Sequence, residues 1–198
     1  MVKNKVETLY LIRHGETLFN KLGKIQGVCD SPLTKKGIEN TKIVRNYFLK
    51  NKVHFDQVYC STQERACDTV SILTSQPYIR LKGLKEHNCG LMEGENGFLR
   101  PQSWSQYRDF YIQFGGESFK QFSKRITNTL KKVMQKAETD KPGGCVLAVS
   151  HGGVMGGFLR NFLPYKNYKN TIRLKNNAIL KLTYSQKRFN LLRIINLI

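Results

Sequence analysis

The chain has 198 residues, 40% hydrophobic and 24% charged, a balance that excludes a disordered protein and fits one globular domain over residues 1–198. No apolar run approaches the roughly 18 residues of a membrane span, and the N-terminus lacks a signal-peptide pattern, so we expect no membrane partner. Five scattered cysteines without a Cys-x-x-Cys pair disfavour a disulfide framework and a zinc site, and they predict a reducing, cytoplasmic location.

The net charge of +19 is distributed unevenly along the chain. No acidic residue follows Asp140, whereas ten basic residues lie between Lys141 and Arg193. Such an excess attracts polyanions, but no basic cluster is interleaved with aromatic residues, so we do not expect nucleic acid as a partner. A phosphorylated substrate would benefit from this field, and the charge favours multiply phosphorylated small molecules.

The first half of the chain alternates strands and helices. An apolar run predicts a buried strand that ends in Arg13-His14-Gly15. Thr34 is a typical N-cap, and Ser61-Thr-Gln-Glu64 resembles a capping box. The predicted elements are a strand at Leu9–Ile12, a helix from Thr34 to about Lys50, a strand at Gln57–Cys60, a helix from Ser61 to about Leu73 and a strand near Tyr78–Leu81.

The second half opens with an irregular stretch, Lys85–Gly116, and ends in a hairpin. Its predicted elements are a helix from Glu117 to about Lys136, a buried strand at Cys145–Val149, a helix from 153 to about Phe162, and strands at Ala178–Thr183 and Phe189–Ile195. Strands alternating with helices predict an α/β fold, a three-layer α/β/α sandwich. Its sheet would have about six strands, mainly parallel, with one antiparallel edge.

Two of the predicted strands end in a histidine followed by glycine, at His14 and at His151. A third strand leads into Ser61, four residues before Arg65. Ligands of open α/β sheets bind at the carboxyl ends of the strands, so neighbouring strands would bring Arg13, His14, Arg65 and His151 together. Two guanidinium groups and two imidazoles around one point fit a dianionic phosphoryl group, and imidazole can act as a neutral nucleophile near pH 7.

Six motifs together resemble the histidine phosphatase superfamily, the family of cofactor-dependent phosphoglycerate mutases and related phosphatases. The resemblance runs from about residue 6 to 155. The motifs are Arg13-His14-Gly15 with Asn20, Asp30-x-x-Leu33-Thr34-x-x-Gly37, Ser61-x-x-x-Arg65-Ala66-x-x-Thr69, Glu86-x-x-x-Gly90-x-x-Glu93-Gly94, Gly115-Gly-Glu-Ser118 and Ser150-His151-Gly152.

The resemblance implies a role for each residue of the site. His14 would attack phosphorus and become a phosphohistidine, and Glu86 would protonate the leaving oxygen and then deprotonate the hydrolytic water. The expected phosphate-binding residues are Arg13, Asn20, Arg65 and His151, and the expected substrate contacts are Gln26 and Gly152. His54 and His87 are expected to be structural. We expect no metal and no cofactor, since no metal-ligand spacing is present.

The short segment between the acid-bearing loop and the long helix resembles the phosphatase branch. We therefore predict hydrolysis of small-molecule phosphate monoesters, with a cofactor-dependent phosphoglycerate mutase as the alternative. Two further alternatives are a cysteine phosphatase built on Cys60 and Arg65, which lie five apart where six is required, and a non-catalytic module that binds phosphate or nucleic acid. The oligomeric state stays open between monomer and homodimer.

Overall fold

Six strands form one sheet in this computed structural model, which describes residues 5–160 and 174–198. The strands are β1 (Glu7–Arg13), β2 (Gln57–Ser61), β3 (Ile79–Leu81), β4 (Cys145–Ser150), β5 (Ile179–Ser185) and β6 (Arg188–Ile195). Their order across the sheet is β3-β2-β4-β1-β5-β6. The first four strands of that order pair in parallel, whereas β5 pairs antiparallel with β1 and β6 antiparallel with β5. The predicted, mainly parallel sheet with an antiparallel edge is thus confirmed.

Helices cover both faces of the sheet. The α-helices are α1 (Leu18–Lys21), α2 (Lys35–Lys50), α3 (Glu64–Leu73), α4 (Trp104–Tyr107), α5 (Phe119–Asp140) and α6 (Gly152–Leu159). On one face, α5 and α6 pack their apolar sides against the strands, and on the other α2 and α3 do so. The two resulting cores make the layered α/β/α architecture that the sequence pattern predicts.

The apolar residues of α5 explain why this helix lies where it does. Phe122, Ile126, Leu130, Val133 and Ala137 recur at helical spacing, and all five are buried against the sheet. Ser118 caps the helix with a capping box that includes Gln121. The helix therefore begins two residues later than predicted and continues to Asp140.

The predicted capping box at the start of α3 is wrong. Ser61 is the last residue of β2, and the N-cap position belongs to Gln63, whose side chain makes no cap hydrogen bond. The carboxylate of Asp30 instead accepts from the amide of Glu64 at 2.7 Å and from that of Arg65 at 3.4 Å. A distant loop thus supplies the anion that a helix N-terminus prefers, which short-range sequence spacing does not indicate.

The stretch Lys85–Gly116 contains only short elements. They are α4 and three 3₁₀ helices, at Gly90–Met92, Gly97–Leu99 and Phe110–Phe114, and a further 3₁₀ turn at Lys82–Leu84 precedes the stretch. Helix α1, which the sequence pattern does not predict, is likewise a single turn. The predicted end of α6 near Phe162 lies outside the described residues. Within the part of the chain that the structure describes, no helix is both long and apolar enough to span a bilayer.

Candidate active site

The candidate site lies at the carboxyl ends of three neighbouring strands. β1 and β4 run side by side, and the amide of His14 donates to the carbonyl of Ser150 at 2.9 Å. The imidazoles of His14 and His151 therefore lie next to each other, edge to face, with ring centroids 5.2 Å apart. β2, on the other side of β4, leads into α3 and its residue Arg65. The structure thus brings together the strand ends that the sequence predicts to meet.

Arg65 is a fully buried cation that is held on several sides. Its Nη1 donates to Asp30 Oδ1 and to the carbonyl of Cys29, each at 2.8 Å. Its Nη2 donates to the carbonyl of Gly27 at 2.8 Å. The remaining edge of the guanidinium faces His14, where Nε donates to Nε2 of the imidazole at 3.2 Å. Because a buried charge is costly without partners, these contacts fix the position of the guanidinium.

The ring of His14 is held in one tautomer. Its Nδ1 lies 2.7 Å from the carbonyl of Gly15, which can only accept, so Nδ1 carries the proton. Nε2 accepts from Arg65 and is therefore unprotonated. Burial, and then the charges of Arg65 and Arg13, hold the pKa of His14 well below its ordinary value. The imidazole is neutral at pH 7, with a lone pair on Nε2.

His151 is fully buried, and neither of its ring nitrogens has a hydrogen-bond partner among the described residues. Burial, followed by the charges of Arg65, His14 and Arg13, holds the pKa of His151 well below its ordinary value. A neutral imidazole still offers one N–H donor. Buried polar atoms are nearly always paired in proteins, so this donor points to a ligand oxygen as its partner.

A cavity of about 310 Å³ opens beside His14. Arg13 lines it and donates through Nη1 to the carbonyl of Leu174 at 2.7 Å, while its buried Nε has no partner among the described residues. The remaining lining residues are Asn20, Lys24, Gln26, Glu86, Arg100, Gly152, Gly153 and Leu174. The cavity is polar and rich in cationic groups, as a phosphate site requires.

Glu86 lines this cavity together with His14, and both of its carboxylate oxygens accept hydrogen bonds. Oε2 accepts from the amide of Gly153 at 2.8 Å, and Oε1 accepts from the amide of His87 at 2.9 Å. The main chain of Glu86 is held in turn, since its amide donates to Gln63 Oε1 at 2.8 Å. A carboxyl group is thus presented to the cavity from a fixed backbone, near the amino end of α6.

The predicted phosphate-binding residue Asn20 and the predicted substrate contacts Gln26 and Gly152 line the cavity. Asn20 Oδ1 accepts from Asn176 Nδ2 at 2.8 Å, which leaves the amide nitrogen of Asn20 as its donor. Gln26 is held at both ends, by Thr17 Oγ1 at 2.7 Å and by Ser31 Oγ at 3.0 Å. At Gly152 an added Cβ would lie 3.2 Å from Arg13 Nε, so glycine permits a close approach there.

Three residues of the site have no distinctive sequence pattern. Lys24 and Arg100 line the cavity, but isolated basic residues are common in so basic a chain. Asn176, just before β5, donates to the carbonyls of His14 and Gly15 at 3.3 and 3.2 Å. Pairing of β5 with β1 places it there, which local sequence does not indicate.

The carboxylate of Glu93 holds the loop that surrounds Arg65. It accepts from the amides of Gly27, Val28 and Cys29 at 2.7–3.1 Å, and from the amide of Cys89 at 3.0 Å. Burial opposes its ionisation, but these hydrogen bonds and that of the Cys29 thiol outweigh it and lower the pKa of Glu93 below its ordinary value. The ionised side chain thereby joins two loops of the site.

Cys60, the alternative nucleophile, lies outside this cavity. Its thiol is fully buried and donates to the carbonyl of Ser61, and burial raises its pKa well above the ordinary value. His87, expected to be structural, stacks on Phe122 with ring centroids 4.4 Å apart. Among the described residues, no group of three or more His, Cys, Asp or Glu side chains is arranged to hold a metal ion.

Comparison with known proteins places these features in a family. The sequence profile of the histidine phosphatase superfamily (branch 1) matches residues 9–197. A metal-independent phosphoserine phosphatase of Arabidopsis thaliana is 30% identical over 166 residues, which cover 78% of this chain and 68% of the relative. The crystal structure of a phosphoglycerate mutase from Bacillus anthracis superposes with a TM-score of 0.83 at 26% identity, covering 95% of this chain and 92% of that one.

A second similar structure contains a bound small molecule. Phosphoserine phosphatase from Entamoeba histolytica, in complex with 3-phosphoglyceric acid, superposes with a TM-score of 0.78 at 25% identity. The similarity covers 96% of this chain and 97% of the Entamoeba chain. Both phosphatases and mutases are therefore similar to this chain over most of its length.

We predict that Glu93→Gln destabilises the fold by about 2 kcal/mol or more at pH 7, because an amide replaces a carboxylate that accepts four amide protons. A carboxylate with a lowered pKa stabilises the folded state above its unfolded-state pKa. The difference between wild type and variant should therefore shrink as pH falls from about 4.3 through the lower folded-state pKa. Urea unfolding between pH 7 and pH 3 measures it.

Glu95→Gln is the matched control, since Glu95 is exposed and lies two residues away. It should leave the free energy of unfolding near the wild-type value at every pH. Equal effects of the two substitutions would contradict the role assigned to Glu93.

Proposed function

The chain belongs to the histidine phosphatase superfamily, and from this membership we propose that it hydrolyses small-molecule phosphate monoesters through a phosphohistidine on His14. One observation carries the proposal. The unprotonated Nε2 of a neutral imidazole accepts from buried Arg65 beside a polar cavity, and 5.2 Å from this ring lies that of His151, whose nitrogens have no partner among the described residues. This is the arrangement that an uncharged nucleophile needs for attack on a phosphoryl dianion.

In the first step, the lone pair of His14 Nε2 forms the N–P bond while the P–O bond to the leaving group breaks. The Nδ1–H group stays hydrogen-bonded to the carbonyl of Gly15, which offsets the positive charge that develops on the ring. Arg65 gives up its contact with Nε2 when that lone pair is used. Its Nε–H is then available to a phosphoryl oxygen, so the same donor orients the nucleophile and then binds the transferred group.

Donors fixed before the reaction would stabilise the charge on the equatorial phosphoryl oxygens. The Nε of Arg13 and a ring nitrogen of His151 are buried donors without partners among the described residues. The amide nitrogen of Asn20 adds a neutral donor from the cavity wall. Donors that are already oriented cost no reorganisation in the transition state, which makes electrostatic stabilisation the main contribution to phosphoryl transfer.

Glu86 would act as acid and then as base. In the first step its carboxyl group gives a proton to the leaving oxygen, and the alcohol departs. In the second step the carboxylate takes a proton from a water molecule, whose oxygen attacks phosphorus as the N–P bond breaks. Its hydrogen bond with the amide of Gly153 keeps it in reach for both steps.

A phosphoglycerate mutase is the second candidate, because a similar crystal structure is that of a phosphoglycerate mutase. The two activities share the phosphohistidine and differ in what accepts the phosphoryl group. The short segment between Glu86 and α5 supports hydrolysis, and so does the similarity to a metal-independent phosphoserine phosphatase.

We expect His14→Ala to lower kcat/KM by about a thousandfold or more, since the covalent step is lost.

Glu86→Gln should slow hydrolysis of alkyl phosphates by about 10²–10⁴, because neither proton transfer is served. With p-nitrophenyl phosphate, whose leaving group needs no proton, Glu86→Gln should accumulate an acid-labile phosphoenzyme. Rates of phosphate release give the loss of activity. Rapid quenching followed by peptide mapping identifies the phosphorylated residue.

Cys60→Ser serves as the control and should retain wild-type activity. A folded Cys60→Ser protein without activity, or phosphate trapped on any residue other than His14, would contradict the proposal. Binding of phosphate or nucleic acid without any turnover would favour the non-catalytic alternative.

To distinguish phosphatase activity from mutase activity, 3-phosphoglycerate is supplied with a trace of 2,3-bisphosphoglycerate. We expect inorganic phosphate to appear faster than 2-phosphoglycerate, because water accepts the phosphoryl group. Phosphorus NMR follows both products in one sample. Formation of 2-phosphoglycerate as the main product would establish the mutase instead.

We also expect the cationic lining to favour multiply phosphorylated substrates. Lys24 and Arg100 line the cavity in addition to Arg13. The value of kcat/KM for a bisphosphate should therefore fall more steeply with ionic strength than that for a monoester of similar size. Lys24→Gln should reduce this difference in slope, while Lys50→Gln, an exposed residue at the end of α2, should not. Equal slopes for the two substrates would contradict the expectation.

A further inference from the structure

A second cavity adjoins the catalytic one and differs from it in chemistry. It also measures about 310 Å³, and it shares only Gly152 and Gly153 with the polar cavity around His14. Four aromatic side chains line it: Trp104, Tyr107, Phe119 and Phe122. Its floor is formed by glycines of α6, which carry no side chains to fill it. We call it the aromatic cavity.

The walls of the aromatic cavity are held in place by contacts among themselves. The rings of Trp104 and Phe119 meet edge to face with centroids 4.6 Å apart. The guanidinium of Arg160 lies over the ring of Trp104, with Cζ 3.9 Å from the centroid. Stacking of this kind orders a half-buried aromatic side chain and gives the cavity a defined flat wall.

The carboxyl group of Glu86 lies at the boundary between the two cavities. Oε2 accepts from the amide of Gly153, and a Cβ on Gly153 would come within 2.3 Å of Oε1. Only glycine allows the acid to lie so close to α6. A phosphoryl group bound beside His14 would therefore direct its bridging oxygen toward Glu86, and whatever is attached to that oxygen would lie next to the shared glycines.

We propose that the aromatic cavity holds the leaving group, so that the preferred substrates are phosphate monoesters of alcohols with an aromatic ring. The inference rests on the proposed function and specifies its substrate class. The bonds that form and break are those given above: the P–O bond breaks, Glu86 protonates the departing oxygen, and the alcohol leaves through the aromatic cavity. A planar ring fits because flat aromatic walls and a glycine floor bury its surface without needing polar partners.

The test compares 2-phenylethyl phosphate with ethyl phosphate, because two alkyl alcohols of similar acidity make leaving-group chemistry nearly equal. We expect kcat/KM to be about tenfold or more higher for the phenylethyl ester, since the ring is buried in the transition state. Trp104→Ala should lower kcat/KM for the phenylethyl ester toward the value for ethyl phosphate. Phe98→Ala, a largely exposed aromatic residue of the same irregular stretch, should preserve the tenfold preference.

A second readout needs neither turnover nor a variant. Trp104 is the only tryptophan of the chain, so intrinsic fluorescence reports directly on the aromatic cavity. Adding 2-phenylethylphosphonate, which is not hydrolysed, should shift or quench the emission, whereas ethylphosphonate at the same concentration should change it much less.

The outcomes separate the two proposals. Equal kcat/KM for both esters, with no fluorescence difference between the phosphonates, would overturn the aromatic cavity as leaving-group site and leave the phosphatase assignment intact. If neither ester is hydrolysed by the folded wild-type chain, the proposed function fails and the leaving-group assignment fails with it. A preference for the phenylethyl ester that Trp104→Ala leaves unchanged would also overturn the assignment.

Discussion

A buried guanidinium without solvent contact is the constraint on which the site depends. Arg65 is fully buried, and a charge in that environment is tolerated only when carbonyl or carboxylate oxygens surround it. Gly27, Cys29 and Asp30 supply those oxygens from one loop. Because this one cation needs oxygen partners, it fixes the path of the loop that supplies them. The remaining edge of the guanidinium donates to His14 and thereby determines which ring nitrogen is unprotonated.

Two carboxylates extend this constraint to the rest of the site. Asp30 binds the guanidinium and also accepts from the first amides of α3, so the helix that carries Arg65 begins at the loop that neutralises it. Glu93 accepts from the same loop and from Cys89, three residues after Glu86. Arg65 donates directly to His14, and the hydrogen bonds of Glu93 connect the loop around Arg65 with the segment that bears Glu86. Such a scaffold fixes the positions of these groups before a substrate binds.

The strands and the residues at their ends could be predicted from the sequence because their causes are local. Unbroken apolar runs mark β1 and β4, and a histidine stands two residues after the end of each run, at His14 and His151. The start of α3 could not be predicted, because its capping anion, Asp30, lies 34 residues before Glu64 in the chain. Lys24 and Arg100 could not be predicted as site residues for a different reason. Residues that line a cavity do not recur at the regular sequence spacing that marks a helix or a strand. The sequence shows the aromatic residues between Lys85 and Gly116, but it does not indicate which of them form the core and which line a cavity.

The position of β1 has a consequence for the order in which the protein can be made. Within this sheet β1 is synthesised before the other five strands, whereas its neighbours, β4 and β5, begin only at Cys145 and Ile179. Its apolar side chains and backbone groups therefore lack their sheet partners until Cys145–Ser150 has been synthesised. The loop that bears the nucleophile gains two of its hydrogen bonds only after Asn176 has been synthesised, because Asn176 donates to the carbonyls of His14 and Gly15. A nascent chain that stops short of Asn176 therefore lacks the contacts that hold His14 and Gly15 in place.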